Sequence, residues 1–175
     1  MRKVIVYIAV SLDGYIAQED GNIDWLSMVE VPGEDYGYAT FYETIDTVVM
    51  GRKTYEKVLS FGIPYPHSQK QNYIISKTLC GSTNQSIVFF NGDVKTLVTD
   101  LKQQDGKNIF IDGGAQLVQS LLKEKLIDNI IISTIPILLG CGIRLFNGEL
   151  PFQNLQLLST KTFDSGLVQV HYALV

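Results

Sequence analysis

The chain has 175 residues, of which 46% are apolar and 18% charged, with 14 basic and 18 acidic side chains and a formal charge of −4. Charged residues usually make up about 25% of a globular chain, so intrinsic disorder is excluded, and roughly 68–70% of the unfolded surface can be buried without a metal or disulfide staple. The acidic balance argues against nucleic acid as partner, and no apolar run approaches the about 18 residues that a membrane span requires. Any phosphate ligand must therefore be met locally, by a few placed cations and backbone N–H groups.

Met1-Arg2-Lys3 followed by Val4 to Val10 could imitate a signal peptide, but Ser11-Leu12-Asp13-Gly14 lacks a small-x-small cleavage pattern. The β-branched run reads instead as a buried strand. Ser11 to Gly33 is polar and punctuated by glycine, a functional loop with some local structure. Beyond it, Tyr38, Phe41, Tyr42 and Ile45 fall at i, i+3, i+4, i+7 and predict a helix. Thr47 to Met50 reads as a short buried strand, and Gly51 opens a helix carrying Tyr55, Val58 and Leu59. Pro64 and Pro66 make Phe61 to Ser68 a loop.

Tyr73-Ile74-Ile75 and Ile87 to Phe90 are two further strands. Asp93 is placed to cap a helix with Val94, Leu97, Val98 and Leu101 on one face. Ile109 to Ile111 is a strand ending at Asp112-Gly113-Gly114, after which Leu117, Val118, Leu121 and Leu122 mark a helical stripe. Ile130 to Ile132 starts a strand that is interrupted at Pro136. The tail is a hairpin, Leu155 to Phe163 and Leu167 to Ala173, turning at Asp164-Ser165-Gly166. Alternating strands and helices with a closing hairpin predict one α/β domain over 1–175: a mostly parallel central sheet, a C-terminal antiparallel hairpin and helices on both faces.

In open α/β sheets ligands bind at the carboxyl ends of the strands. Three such ends carry suggestive residues. At Gly51-Arg52-Lys53-Thr54 a glycine lets an anion approach the backbone beside two cations and a hydroxyl, although a glycine turn with solvated cations fits as well. At Gly113-Gly114-Ala115-Gln116 paired glycines precede a helix, an opening for a pyrophosphate that matches neither G-x-G-x-x-G nor the P-loop. At Ser76-Lys77-Thr78 a hydroxyl and an ammonium could hold a phosphate monoester, or simply be surface. Neither His67 nor His171 has companions at metal-ligand spacing, so no metal site is expected. The isolated Cys80 and Cys141 suggest reduced thiols and a cytoplasmic chain.

The block Val6 to Ala17, with Gly21-Asn22-Ile23-Asp24-Trp25-Leu26, Met50 to Glu56, Ile111 to Gln116 and Pro136 to Phe146, occurs in the order of the dihydrofolate-reductase-like superfamily. The chain resembles the branch related to the C-terminal reductase domain of the bifunctional riboflavin-biosynthesis deaminase/reductase. That resemblance implies a three-layer dihydrofolate-reductase-like fold, NADPH as hydride donor, a small-molecule substrate and a homodimer. It places Gly51, Arg52, Lys53 and Thr54 at the cofactor's phosphates, Gly113, Gly114, Ala115 and Gln116 at its pyrophosphate, and Ser76 and Lys77 at the adenosine 2′-phosphate. Ala9 and Ile16 fall where the nicotinamide carboxamide is held.

The family's acidic residue falls on Asp35 when counted back from Met50, or on Glu30 when counted forward from Trp25. Asp35 is preferred as the catalytic group, with capping of the following helix as its competing role. Asp13 and Asp24 are further candidates with turn or capping roles as alternatives, and water remains open as proton source. The implied activity is NADPH-dependent reduction of a C=N or C=O in a small heterocycle or ribosylamino-pyrimidine. Dihydrofolate reduction, or NADPH binding without turnover, are the alternatives.

Overall fold

In the computed structural model, which describes residues 1–84 and 86–175, the apolar run at the start of the chain becomes β1 (Val4–Ser11) at the heart of the sheet. The chain continues through β2 (Tyr15–Ala17), a 3-10 helix (Asp24–Val29), α1 (Tyr38–Glu43), β3 (Ile45–Gly51) and α2 (Arg52–Leu59). Next come β4 (Gln71–Ile75), β5 (Gly81–Asn84), β6 (Ile87–Phe90), α3 (Val94–Gln103), β7 (Asn108–Ile111) and α4 (Ala115–Lys123). It ends with β8 (Asn129–Ile135), β9 (Ile143–Arg144), β10 (Leu155–Thr162) and β11 (Val168–Leu174).

Among the described residues, nine strands form one sheet in the order β10-β11-β8-β1-β7-β3-β4-β6-β5. The six from β8 to β6 are mutually parallel, and β11 and β5 pair antiparallel at the two flanks. The hairpin β10–β11 closes one side, and β2 with β9 makes a separate two-stranded ribbon. The expected α/β architecture is therefore present, including its C-terminal antiparallel hairpin.

Alternation along the buried strands builds a core on each face. Val4, Val6, Val49, Ile109 and Ile111 pack against Leu97, Val98 and Leu101 of α3 and Leu117, Val118 and Leu121 of α4. The intervening Ile5, Val48, Met50 and Phe110 meet Phe41 of α1 and the rings of Tyr38, Tyr42 and Tyr55 on the other side. A strand buried on both faces has no polar side to show, which is why these segments read as continuous apolar runs.

Asp93 caps α3 as expected, accepting from the N–H groups of Lys95 and Thr96. Arg2, buried beside β3, donates to Asp46, to Thr47 Oγ1 at 2.6 Å and to the carbonyls of Lys107 and Leu101, so its charge is paired and its donors are used.

Two local expectations change. Ile45 completes the helical stripe by spacing, but α1 stops at Glu43 and Ile45 is the first residue of β3, wholly buried. The strands β5 and β9 form where no strand is legible, while the long loop after β1 has the local structure expected of it, β2 and the 3-10 helix. No helix among the described residues is long and apolar enough to cross a membrane, and Cys80 and Cys141 stand exposed and unpaired.

Candidate active site

Because six central strands are parallel, their carboxyl ends share one edge of the sheet, and the glycine-marked ends become neighbours there. Gly51 is paired with Ile75 at the end of β4, and its N–H donates to Gly113 O at 2.9 Å. Gly113 has φ +97, a left-handed backbone that favours glycine, and is joined to Gly114 by a cis peptide bond. A Cβ on Gly51 would stand 3.7 Å from Gly114 N, and one on Gly114 would stand 3.3 Å from Thr54 Oγ1. The three glycines leave the space that side chains would fill.

Gly51 and Gly114 are the N-cap residues of α2 and α4, and neither helix start receives a hydrogen bond from a capping side chain. Two helix starts with free N–H groups thus face one cradle, where partial positive charge gathers. This donor set fits the pyrophosphate of a dinucleotide. Arg52 sits over the first turn of α2, held by Glu56 at 3.3 Å and donating to Thr78 Oγ1 at 3.1 Å.

That contact brings the Ser76-Lys77-Thr78 turn to the cradle. Ser76 is buried, and its Oγ accepts from Thr78 N and Leu79 N, so it shapes the turn while Lys77 stays exposed. Lys53 and Gln116 are exposed at the helix starts, and Ala115 is buried.

Beside this cradle, on the α1 side of the sheet, lies a cavity of about 560 Å³. Its floor is Tyr7 and Ala9 of β1 with Ser133 and Ile135 of β8, and Tyr38 forms a wall. The polar floor is locked from within. Tyr7 Oη donates to Tyr36 O at 3.0 Å, and Gln169 Nε2 reaches both Tyr7 Oη at 2.7 Å and Ser133 Oγ at 3.1 Å. Burial pushes the Tyr7 phenol up, and burial together with the charge of Asp112 does the same to Tyr38. Both remain neutral hydroxyls across the physiological range.

Ala9 lines this cavity, whereas Ile16 packs into the core cluster on the α3 and α4 side. The acidic candidates separate as well. Asp35 and Glu30 both line the cavity, and Asp24 does not. Asp35 Oδ1 accepts from Gly37 N at 2.8 Å and Oδ2 from Ala39 N at 2.9 Å, which holds its carboxyl below the usual carboxylate range. Asp24 takes part in a tight turn with Asn22. Asp13 accepts from Ser11 Oγ, Leu139 N and Gly140 N, and these bonds hold its carboxyl down at about 2 while pinning the segment after β8 to the end of β1.

The loop histidine is a feature that spacing did not reveal. His67 is buried against the rings of Tyr42, Tyr65 and Phe110, with Nε2 3.1 Å from Asp112 Oδ2. It anchors the residue directly before Gly113-Gly114. The partners stand 45 residues apart in the chain, beyond any local motif.

The sequence matches the RibD C-terminal domain family over residues 2–169. It is 44% identical over 171 residues to the uncharacterized protein YwjB of Bacillus subtilis (strain 168), covering 98% of this chain and 97% of that one. Among solved structures, a protein from Shewanella sp. PV-4 provisionally assigned to riboflavin biosynthesis superposes with a TM-score of 0.88 at 35% identity, covering 99% of both chains. The diaminohydroxyphosphoribosylaminopyrimidine deaminase/5-amino-6-(5-phosphoribosylamino)uracil reductase of Thermotoga maritima shares the fold, with a TM-score of 0.72 at 13% identity over 99% of this chain and 57% of that one.

Proposed function

The chain belongs to the RibD C-terminal domain family, and from that premise we propose that it is an NADPH-dependent reductase of a small heterocycle. The observation that carries the proposal is the glycine cradle between two uncapped helix starts, set beside a cavity at the same sheet edge. NADPH, when bound, would supply a hydride to a C=N or C=O carbon.

The chain's own residues do the rest. The free N–H groups at the starts of α2 and α4 would hold the pyrophosphate, with Arg52 and Lys53 adding positive charge. Lys77, on the turn that Ser76 shapes, would pair with the 2′-phosphate. Ala9, small and on the cavity floor, leaves room for a flat ring, and the cavity aligns the acceptor carbon with the donor. The carboxyl of Asp35 already accepts two N–H groups, so we assign it to orienting the substrate and leave the proton to water.

Titration with NADPH and NADH, following nicotinamide fluorescence and quenching of Trp25, tests the proposal. Preference for NADPH supports it, and no binding of either sinks it. Lys77→Ala should weaken NADPH about tenfold or more while leaving NADH unchanged, since only NADPH carries the group that Lys77 would pair. Equal losses would remove Lys77 from the site. Asp35→Asn should lower kcat by less than about tenfold with NADPH affinity intact, whereas a general acid would cost about 10²–10⁴-fold.

A further inference from the structure

We propose that the cavity takes an uncharged or cationic amino heterocycle and rejects a phosphorylated one. The inference rests on the reading of this cavity as the substrate site. Three carboxylates, Glu30, Glu34 and Asp35, line it within six residues of chain, and no lysine, arginine or histidine is among the described lining residues. Lys161 is the cation that acts on Asp35, with its Nζ 3.5 Å from where a Cβ on Gly37 would stand. One positive charge against three negative leaves the rim acidic.

Backbone donors do not rescue a phosphate there either. The N–H groups of Gly37 and Ala39 are given to Asp35, and that of Tyr36 to Glu34 Oε1 at 2.7 Å. Those of Glu30 and Glu34 close turns onto Ser27 O and Val31 O. A phosphoryl group entering this rim would meet like charge and find these donors spent, the reverse of the glycine cradle across the same edge.

An amino group meets the opposite situation. The Glu30 carboxylate makes no hydrogen bond or ion pair with the described residues, and neither does the Tyr38 hydroxyl, so both are free to accept one. The rings of Tyr7, Tyr36 and Tyr38 offer flat apolar walls to a heteroaromatic plane. The charge layout thus sets this chain apart from a reductase whose substrate carries a phosphoribosyl group, such as the one named for the Thermotoga maritima protein.

The test uses two ligands that differ only in the phosphate, 5-amino-6-ribosylaminouracil and its 5′-phosphate, titrated calorimetrically into the full chain. The nucleoside should bind, with the phosphate ester at least about tenfold weaker. The gap should narrow at high salt and in the Glu30→Gln/Glu34→Gln double variant, whose substituted side chains are both exposed and whose folding is checked by circular dichroism. Equal or tighter binding of the ester, or binding of neither ligand, overturns the proposal. Failure of the reductase reading is seen separately, as absence of NADPH binding, and leaves the nucleoside comparison readable.

Discussion

Gly114→Ala is expected to weaken NADPH roughly tenfold to a hundredfold while leaving the chain folded. Gly114 has φ −76 and ψ −170, a backbone that alanine adopts without strain, so the substitution reports on space alone. Its methyl group would stand 3.3 Å from Thr54 Oγ1, inside the cradle, and would keep a pyrophosphate from the free N–H groups at the start of α4. Charge-assisted hydrogen bonds of that kind contribute about 1.5–3 kcal/mol each. Gly113→Val should go further and remove measurable binding. At φ +97 a β-branched residue forces the loop to shift, at a cost of about 1–3 kcal/mol in stability. Fluorescence titration with thermal melts separates the two effects, and unchanged affinity in Gly114→Ala would take this loop out of the cofactor site.

Phe110→Ala should cost about 3–5 kcal/mol, a large share of the about 5–15 kcal/mol that holds an ordinary domain together. Phe110 is 1% exposed at the centre of the sheet, with its ring 5.0 Å from Phe41, 6.0 Å from His67 and 6.4 Å from Tyr38. Those three neighbours come from α1 and from the loop after α2, so the cavity left behind could close only by moving the wall that carries Tyr38. Denaturant unfolding gives the cost directly. A loss under about 1 kcal/mol would mean that this aromatic layer collapses freely and does not hold the site in place.

The helices and the central strands were legible because their signals are local. Asp93 before an apolar stripe specifies where α3 begins, and the run from Val4 specifies a strand covered on both faces, whatever lies elsewhere in the chain. Ile45 shows where that locality fails. A helix stripe and a buried strand both ask for an apolar residue at that position, and its pairing opposite Asn108 decided between them. The strand β5 carries Gly81-Ser82-Thr83-Asn84, with no apolar pattern at all, and exists through its pairing with β6.

The candidate site divides in the same way. Gly51 and Gly113-Gly114 could be picked out singly, because glycine at a strand–helix junction has a local meaning. Their approach to one another, and the shared cradle it makes, follow from the sheet order. Counting along the chain offered Asp35 or Glu30 as the acid. Only the folded chain gives Asp35 two backbone N–H groups and leaves the Glu30 carboxylate without a partner among the described residues.

The sequence by itself therefore determined the class of fold, since periodicity, caps and glycine junctions act within a few residues; the order of its motif blocks carried the resemblance to the family, and three strand ends stood out as candidate anion sites. The tertiary structure alone decided the cavity that the clustered Glu30, Glu34 and Asp35 border, because its walls, Tyr7, Tyr38 and Ser133 among them, are far apart in the chain and meet only through the packing of the sheet.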